Sequence, residues 1–154
     1  MKKVVLAAVF GAAIALPSAS ALAADAACTA PAGQTVLAVT VKGVRSSKGE
    51  VAITVYPGDS KRFLAPHAKL ARVRLPSEPI VHACMNVPKA GDYAIAIYHD
   101  ENGDHHFNRT LIGLPAEGYG FSNDAPAIAG LPTYSASKFA AHEGVNPLTI
   151  TMRY

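Results

Sequence analysis

Apolar and polar side chains alternate residue by residue in several short runs of this chain, and this period of two constrains the fold more than any other feature. In Val36 to Lys42, Leu37, Val39 and Val41 share one face while Ala38, Thr40 and Lys42 share the other, the pattern of a strand with one buried side. After a turn at Gly43 to Gly49 the pattern restarts with Val51, Ile53 and Val55, and the two runs read as a hairpin. Val73 and Leu75 mark a brief strand ended by Pro76. Ile80 to Val87 places Val81, Ala83, Met85 and Val87 on one face and Cys84 on the other. Tyr93 to His99 is largely apolar in both alternating sets, so it should be central and covered on both faces. Pro147 to Tyr154 closes the sequence with Leu148, Ile150 and Met152 facing in.

Between these runs, Pro57 to His67 cannot continue a central strand, although Phe63 and Leu64 are placed to plug the core. The stretch Asp100 to Val145 is rich in Gly, Pro, Asn and Asp and reads as a long loop region, in which only Ser135 to His142 looks helical. About seven short strands with turn signals between them predict an all-β, single-domain β-sandwich spanning 35–154, behind an N-terminal tail over 24–34.

Residues 1–23 have the form of a signal peptide: Lys2 and Lys3, an apolar stretch from Val4 to Leu16, then small residues with Ala21-Leu22-Ala23 as a cleavage pattern. The apolar stretch is short for a bilayer span and no longer one follows, so no stable membrane insertion is expected. Asp25 stands where a lipoprotein signal needs an aliphatic residue before Cys28, which argues against a lipid anchor. The expected location is the periplasm or the medium. Cys28 and Cys84 are the only two cysteines, and an even pair in an exported chain predicts a disulfide. Of the 14 Lys and Arg residues two lie in the leader, leaving 12 against 11 acidic residues. That near-neutral balance offers no basis for a nucleic-acid partner.

The run Ala96-Ile97-Tyr98-His99-Asp100-Glu101-Asn102-Gly103-Asp104, with the later Leu111-Ile112-Gly113-Leu114-Pro115-Ala116-Glu117-Gly118-Tyr119-Gly120-Phe121-Ser122-Asn123-Asp124-Ala125, the early turn at Gly43 to Gly49 and the terminal aromatic Tyr154, resembles a bacterial exported family known as domain of unknown function 2141. The resemblance covers about Val36 to Tyr154. It implies a periplasmic or secreted β-sandwich of transthyretin-like or immunoglobulin-like type with no assigned activity. It also implies that the two motifs form one feature. His105 and His106 replace the small or basic residues of the family pattern.

Asp100, Asn102, Asp104 and Asn108 occupy positions one, three, five and nine of a calcium-loop-like spacing and are the candidate metal ligands for Ca²⁺. The pattern is incomplete, because His105 stands where such a loop needs glycine and Leu111 where it needs glutamate. Asn102-Gly103 is equally a type I′ hairpin signal, with neighbouring Asp side chains capping the turn. His99 with His105 or His106 offers imidazoles to Zn²⁺ or Cu²⁺, but neighbours on a strand point to opposite faces, so only one of the pair could join His99. His99, Glu117, Tyr119, Phe121 and Asn123 form a candidate binding surface, the aromatics serving equally well as anchors for a long crossover. Ser122 lacks the strand, second glycine and helix of a nucleophile elbow.

These features predict a non-enzymatic exported module, associated with the envelope, that binds an envelope component or a small ligand and carries no cofactor. The first alternative is a Ca²⁺-stabilised protein using the Asp100 to Asn108 loop. The second is an enzyme with a site at His99, Asp100 and Glu117.

Overall fold

The computed structural model describes residues 28–127 and 131–154; residues 1–23, read as a signal peptide, and 24–27 of the expected tail lie outside the described residues. Among the described residues, eight strands form two sheets. They are β1 (Thr35–Lys42), β2 (Glu50–Pro57), β3 (Ala71–Pro76), β4 (Ile80–Val87), β5 (Gly91–Asp100), β6 (Gly118–Phe121), β7 (Lys138–Ala141) and β8 (Gly144–Thr151). One sheet has the order β4-β1-β8, with β8 parallel to β1 and β4 antiparallel to it. The other runs β3-β2-β5-β6, and β7 also pairs with β5. β5 is therefore central, flanked by β2 along one side and by β6 and β7 in turn along the other, as its two apolar faces require.

The inward sets of both sheets meet in one core. Leu37, Val39 and Val41 of β1 pack with Val51, Ile53 and Val55 of β2, Ile95 and Ile97 of β5, and Ile150 of β8. Each such side chain taken fully out of water stabilises the fold by roughly 1.5–3 kcal/mol. β1 and β2 are consequently not the hairpin their sequence proximity suggests. Residues 43–49 carry the chain from one sheet to the other, and the two strands face each other across the core. Alternation fixes which face of a strand is buried but is silent about its lateral neighbour.

Cys28 and Cys84 form a disulfide with a Cα separation of 5.6 Å. Cys84 lies in the exposed set of β4, so the bridge ties residue 28 to the outer face of the three-stranded sheet. The stretch read as a loop region holds β6, a 3-10 turn at Ser122–Asp124, a single-turn helix α1 (Tyr134–Ser137) and β7. The helical expectation for Ser135 to His142 is thus met only in part. Thr133 caps α1 by accepting the Ala136 N–H, and from Lys138 the chain pairs with β5 instead.

Phe63 and Leu64 do not enter the core. Phe63 stacks edge-on against Tyr56, Phe121 and Tyr134 on the far face of the five-stranded sheet.

Candidate binding groove

Two rows of side chains cross the outer face of the five-stranded sheet. Arg72, Thr54, Ala96 and Phe121 are consecutive partners in one row, and Arg74, Ala52, Tyr98 and Tyr119 in the next. Ala52, Thr54 and Ala96 thus lie between the arginines on β3 and the rings of Tyr98, Tyr119 and Phe121, and these short side chains leave a trough. Phe107, on the connection from β5 to β6, forms one wall by packing edge-on against both Tyr98 and Tyr119, at centroid distances of 5.9 and 6.1 Å. Tyr56 and Leu64 bound the trough from the β2 side. The resulting groove encloses about 630 Å³, within the range of small-molecule sites.

Its rim is apolar and, among the described residues, uncovered. Gly113 N–H donates to the Thr110 carbonyl and Thr110 N–H to that of Leu114, which closes a tight turn. The turn pushes Ile112 and Leu114 to 81% and 58% exposure beside the groove, and Leu111 fully into solvent. Three large aliphatic side chains left in water on one turn, next to an aromatic trough, make the strongest departure from ordinary surface composition in the described residues.

The base of this connection is held by carboxylates. Asp100 accepts the N–H groups of Gly103 and His105, each at 2.8 Å. Asp104 accepts the His106 N–H at 2.8 Å and the side-chain amides of Asn102 and Asn108 at 2.9 and 2.7 Å. Asn102 Oδ1 in turn accepts the Asp104 N–H. The bond from Asn108 and these other donors hold the Asp104 carboxyl below its ordinary range. Glu117 accepts the Asn108 N–H at 3.0 Å. Burial pushes the Glu117 carboxyl up, and nearby Asp100 and Asp104 add to the rise. Tyr98 Oη and Arg74 both donate to the His105 carbonyl, which fastens the loop to the sheet. Gly103 and His105 have positive φ, but Asn102 does not, so the predicted type I′ hairpin is absent. The chain makes consecutive side-chain-capped turns instead.

The four oxygen-bearing residues of the calcium-like spacing are therefore brought together, with Glu117 beside them. Among the described residues, no three His, Cys, Asp or Glu side chains are grouped so as to hold one metal ion. His105 points to Glu50, 3.6 Å away, rather than to His99.

Of the candidate binding surface, Tyr119 and Phe121 line the groove, while the other three residues do not. His99 is fully buried at the end of the core, where Nε2 faces the Lys48 carbonyl at 2.8 Å and Nδ1 the Tyr154 hydroxyl at 2.6 Å. A carbonyl only accepts, so Nε2 carries the proton and Nδ1 accepts from Tyr154. Its place in the inward set of β5 puts it opposite Asp100, which belongs to the outward set. Glu117 is buried under the loop. Asn123 donates to the Ala136 and Lys138 carbonyls, latching the 3-10 turn to α1 and β7. Ser122 is buried too, its hydroxyl accepting the Ile95 N–H and donating to the Ser137 carbonyl.

Sequence reasoning gave no role to Arg72 or Phe107, and it read Ile112 and Leu114 only as part of the family motif. A signal existed in Leu111-Ile112-Gly113-Leu114, an apolar run that fits neither strand nor helix periodicity and lies between turn residues.

Fold and site together define a two-sheet β-sandwich protein that carries an aromatic groove on the outer face of its larger sheet. The chain belongs to the family described as an uncharacterized protein conserved in bacteria, DUF2141, whose model matches residues 39–149. No curated protein and no solved structure matches it significantly.

Proposed function

We propose that this protein is a non-enzymatic exported binding module of the bacterial envelope, and that the groove between Tyr98, Tyr119, Phe121 and the 105–115 loop is its working surface. The observation that carries this reading is the exposure of Ile112 and Leu114 along a trough floored by aromatic rings. Water-exposed aliphatic residues beside a concave apolar surface gain free energy when a ligand covers them. Export is supported by the signal-like leader and by the Cys28–Cys84 bridge, which suits an oxidising compartment. The non-enzymatic reading is supported by the commitment of both His99 nitrogens and the Ser122 hydroxyl to internal bonds. In this reading the oxygens of Asp100 and Asp104 serve the backbone and amides of their own loop, and the module works without a cofactor.

The test is a fluorescence titration with N-phenyl-1-naphthylamine, a neutral aromatic probe that brightens in apolar sites. The wild-type protein is expected to bind it saturably. The double variant Ile112→Asp with Leu114→Asp, altered only at exposed positions, should keep its melting temperature and weaken binding about tenfold or more, since two aliphatic contacts are lost. Equal binding by the two proteins, or none by the wild type, contradicts the reading.

A further inference from the structure

The fixed charges that line the groove among the described residues are two guanidiniums, those of Arg72 and Arg109. The imidazoles of His105 and His106 line it as well, and among the described residues no Asp or Glu does. The nearest acids stand behind the wall. Glu50 lies 3.6 Å from His105 Nε2 and 3.8 Å from Arg74 Nε, and Asp104 faces the His106 N–H.

Arg72 stands apart from its neighbours. It is half-buried on β3 at one end of the row that continues through Thr54 and Ala96 to Phe121. Its Nε donates to Thr54 Oγ1 at 2.7 Å, and its guanidinium lies 5.7 Å from the Tyr98 ring centroid. Those contacts fix the plane of the group. Arg74 and Arg45 each have a carboxylate within 4 Å, at Glu50 and Glu101. Among the described residues Arg72 has no such carboxylate partner, and its polar neighbours are the neutral hydroxyls of Thr54 and Tyr56. A guanidinium held half out of water without a counter-ion is costly, and a ligand that supplies the anion recovers that cost. The planar fork also matches the paired oxygens of a carboxylate, sulfonate or phosphate ester.

We infer that the groove selects an anionic amphiphile: a free molecule whose head group pairs with the terminal nitrogens of Arg72 while its apolar body lies along Ala96, Tyr98 and Phe107 beneath Ile112. The inference rests on the groove being a ligand site, as proposed above, and adds the charge of the ligand. Arg109 does not share this role. Its Nη1 donates to the Gly113 carbonyl and its guanidinium covers Phe107, so it braces the rim turn.

The experiment compares two probes with the same aromatic body, neutral N-phenyl-1-naphthylamine and anionic 8-anilinonaphthalene-1-sulfonate, on the wild-type protein and on Arg72→Gln and Arg72→Lys. The anionic probe should bind the wild type more tightly. Arg72→Gln should weaken it about tenfold or more while changing the neutral probe less than about twofold, and Arg72→Lys should fall between. Unchanged melting temperatures establish that the variants are folded. If either variant does not fold, competition on the wild type decides: dodecanoate should displace the neutral probe at lower concentration than dodecanol does. Equal binding of both probes with no effect of Arg72→Gln, or equal displacement by the acid and the alcohol, overturns the inference and leaves the groove reading standing. Failure of both probes to bind overturns both. Sedimentation with vesicles of anionic phospholipid, without binding of the soluble probes, would make the rim a membrane contact and likewise overturn the inference.

Discussion

The hydroxyl of Tyr154, the last residue of the sequence, lies 2.6 Å from Nδ1 of the fully buried His99. The same oxygen accepts the Arg45 N–H, and the Arg45 guanidinium sits 4.2 Å above the tyrosine ring. One aromatic side chain thereby closes the end of the sandwich where the 43–49 crossover meets β5. Removing the hydroxyl leaves a buried ring nitrogen without its donor, so Tyr154→Phe should lower stability by about 1–3 kcal/mol. Urea denaturation at neutral pH measures the loss. An unchanged midpoint would mean that His99 is satisfied in another way.

A pH dependence follows from Glu101. Hydrogen bonds from Arg45 and from Ser46 hold its carboxyl down to about 2, against an ordinary value of 4.5. A carboxyl that ionises more readily in the folded state contributes stability that is complete above its unfolded pKa and is lost as pH falls toward its folded pKa. Melting temperature should therefore decline between about pH 4.5 and 2 partly through this group. Glu101→Gln should show a lower melting temperature at pH 7 and a shallower acid decline. Parallel pH curves for the two proteins would refute the assignment.

The Cys28–Cys84 bridge spans a sequence separation of 56. Loop closure of that length in the unfolded chain corresponds to about 4 kcal/mol in the chain-entropy model. The double variant Cys28→Ser with Cys84→Ser should lose stability on that order in denaturant titration while keeping the β signature in circular dichroism. A loss of less than about 1 kcal/mol would show that the N-terminal segment is unconstrained by the bridge.

Calcium should leave the melting temperature where it is. A ligand that binds only the native state raises the midpoint, and about 5 mM Ca²⁺ exceeds the dissociation constants of even weak extracellular sites. Equal midpoints in Ca²⁺ and in EDTA are expected, because the Asp100 and Asp104 oxygens already serve N–H and amide donors. A rise of several degrees would restore the cation reading of Asp100, Asn102, Asp104 and Asn108.

Much of the sandwich was legible because burial of one strand face imposes a period of two. Ile80–Val87 coincides with β4 to the residue, and the apolar double set of Tyr93 to His99 correctly marked β5 as central. Lateral pairing was not legible, and the hairpin of β1 with β2 failed for that reason. β6 and β7 were missed because each has only four residues, too few to display a period among glycines and polar residues. The Gly118-Tyr119-Gly120-Phe121 motif makes sense only in three dimensions. A Cβ at Gly118 would strike the Tyr154 ring, and one at Gly120 would come 2.7 Å from the Thr151 carbonyl oxygen. Meanwhile Tyr119 and Phe121 project to the groove side. The candidate site was half visible: the aromatics belonged to it and the rim left a trace in the aperiodic apolar run Leu111-Ile112-Gly113-Leu114, but Arg72 sits in a short strand that carries no local signal of function. His99 was misplaced because a polar residue at a strand end reads as exposed until its two partners, Lys48 and Tyr154, are seen.

Methyl-resolved NMR of the protein titrated with N-phenyl-1-naphthylamine tests the central claim most directly. Binding in the groove predicts progressive shifts of the Leu64, Ile112 and Leu114 methyls, with Val39, Val55 and Ile150 in the core unmoved. Shifts centred on the 43–49 crossover or on the three-stranded sheet, or no shifts at all, would contradict it.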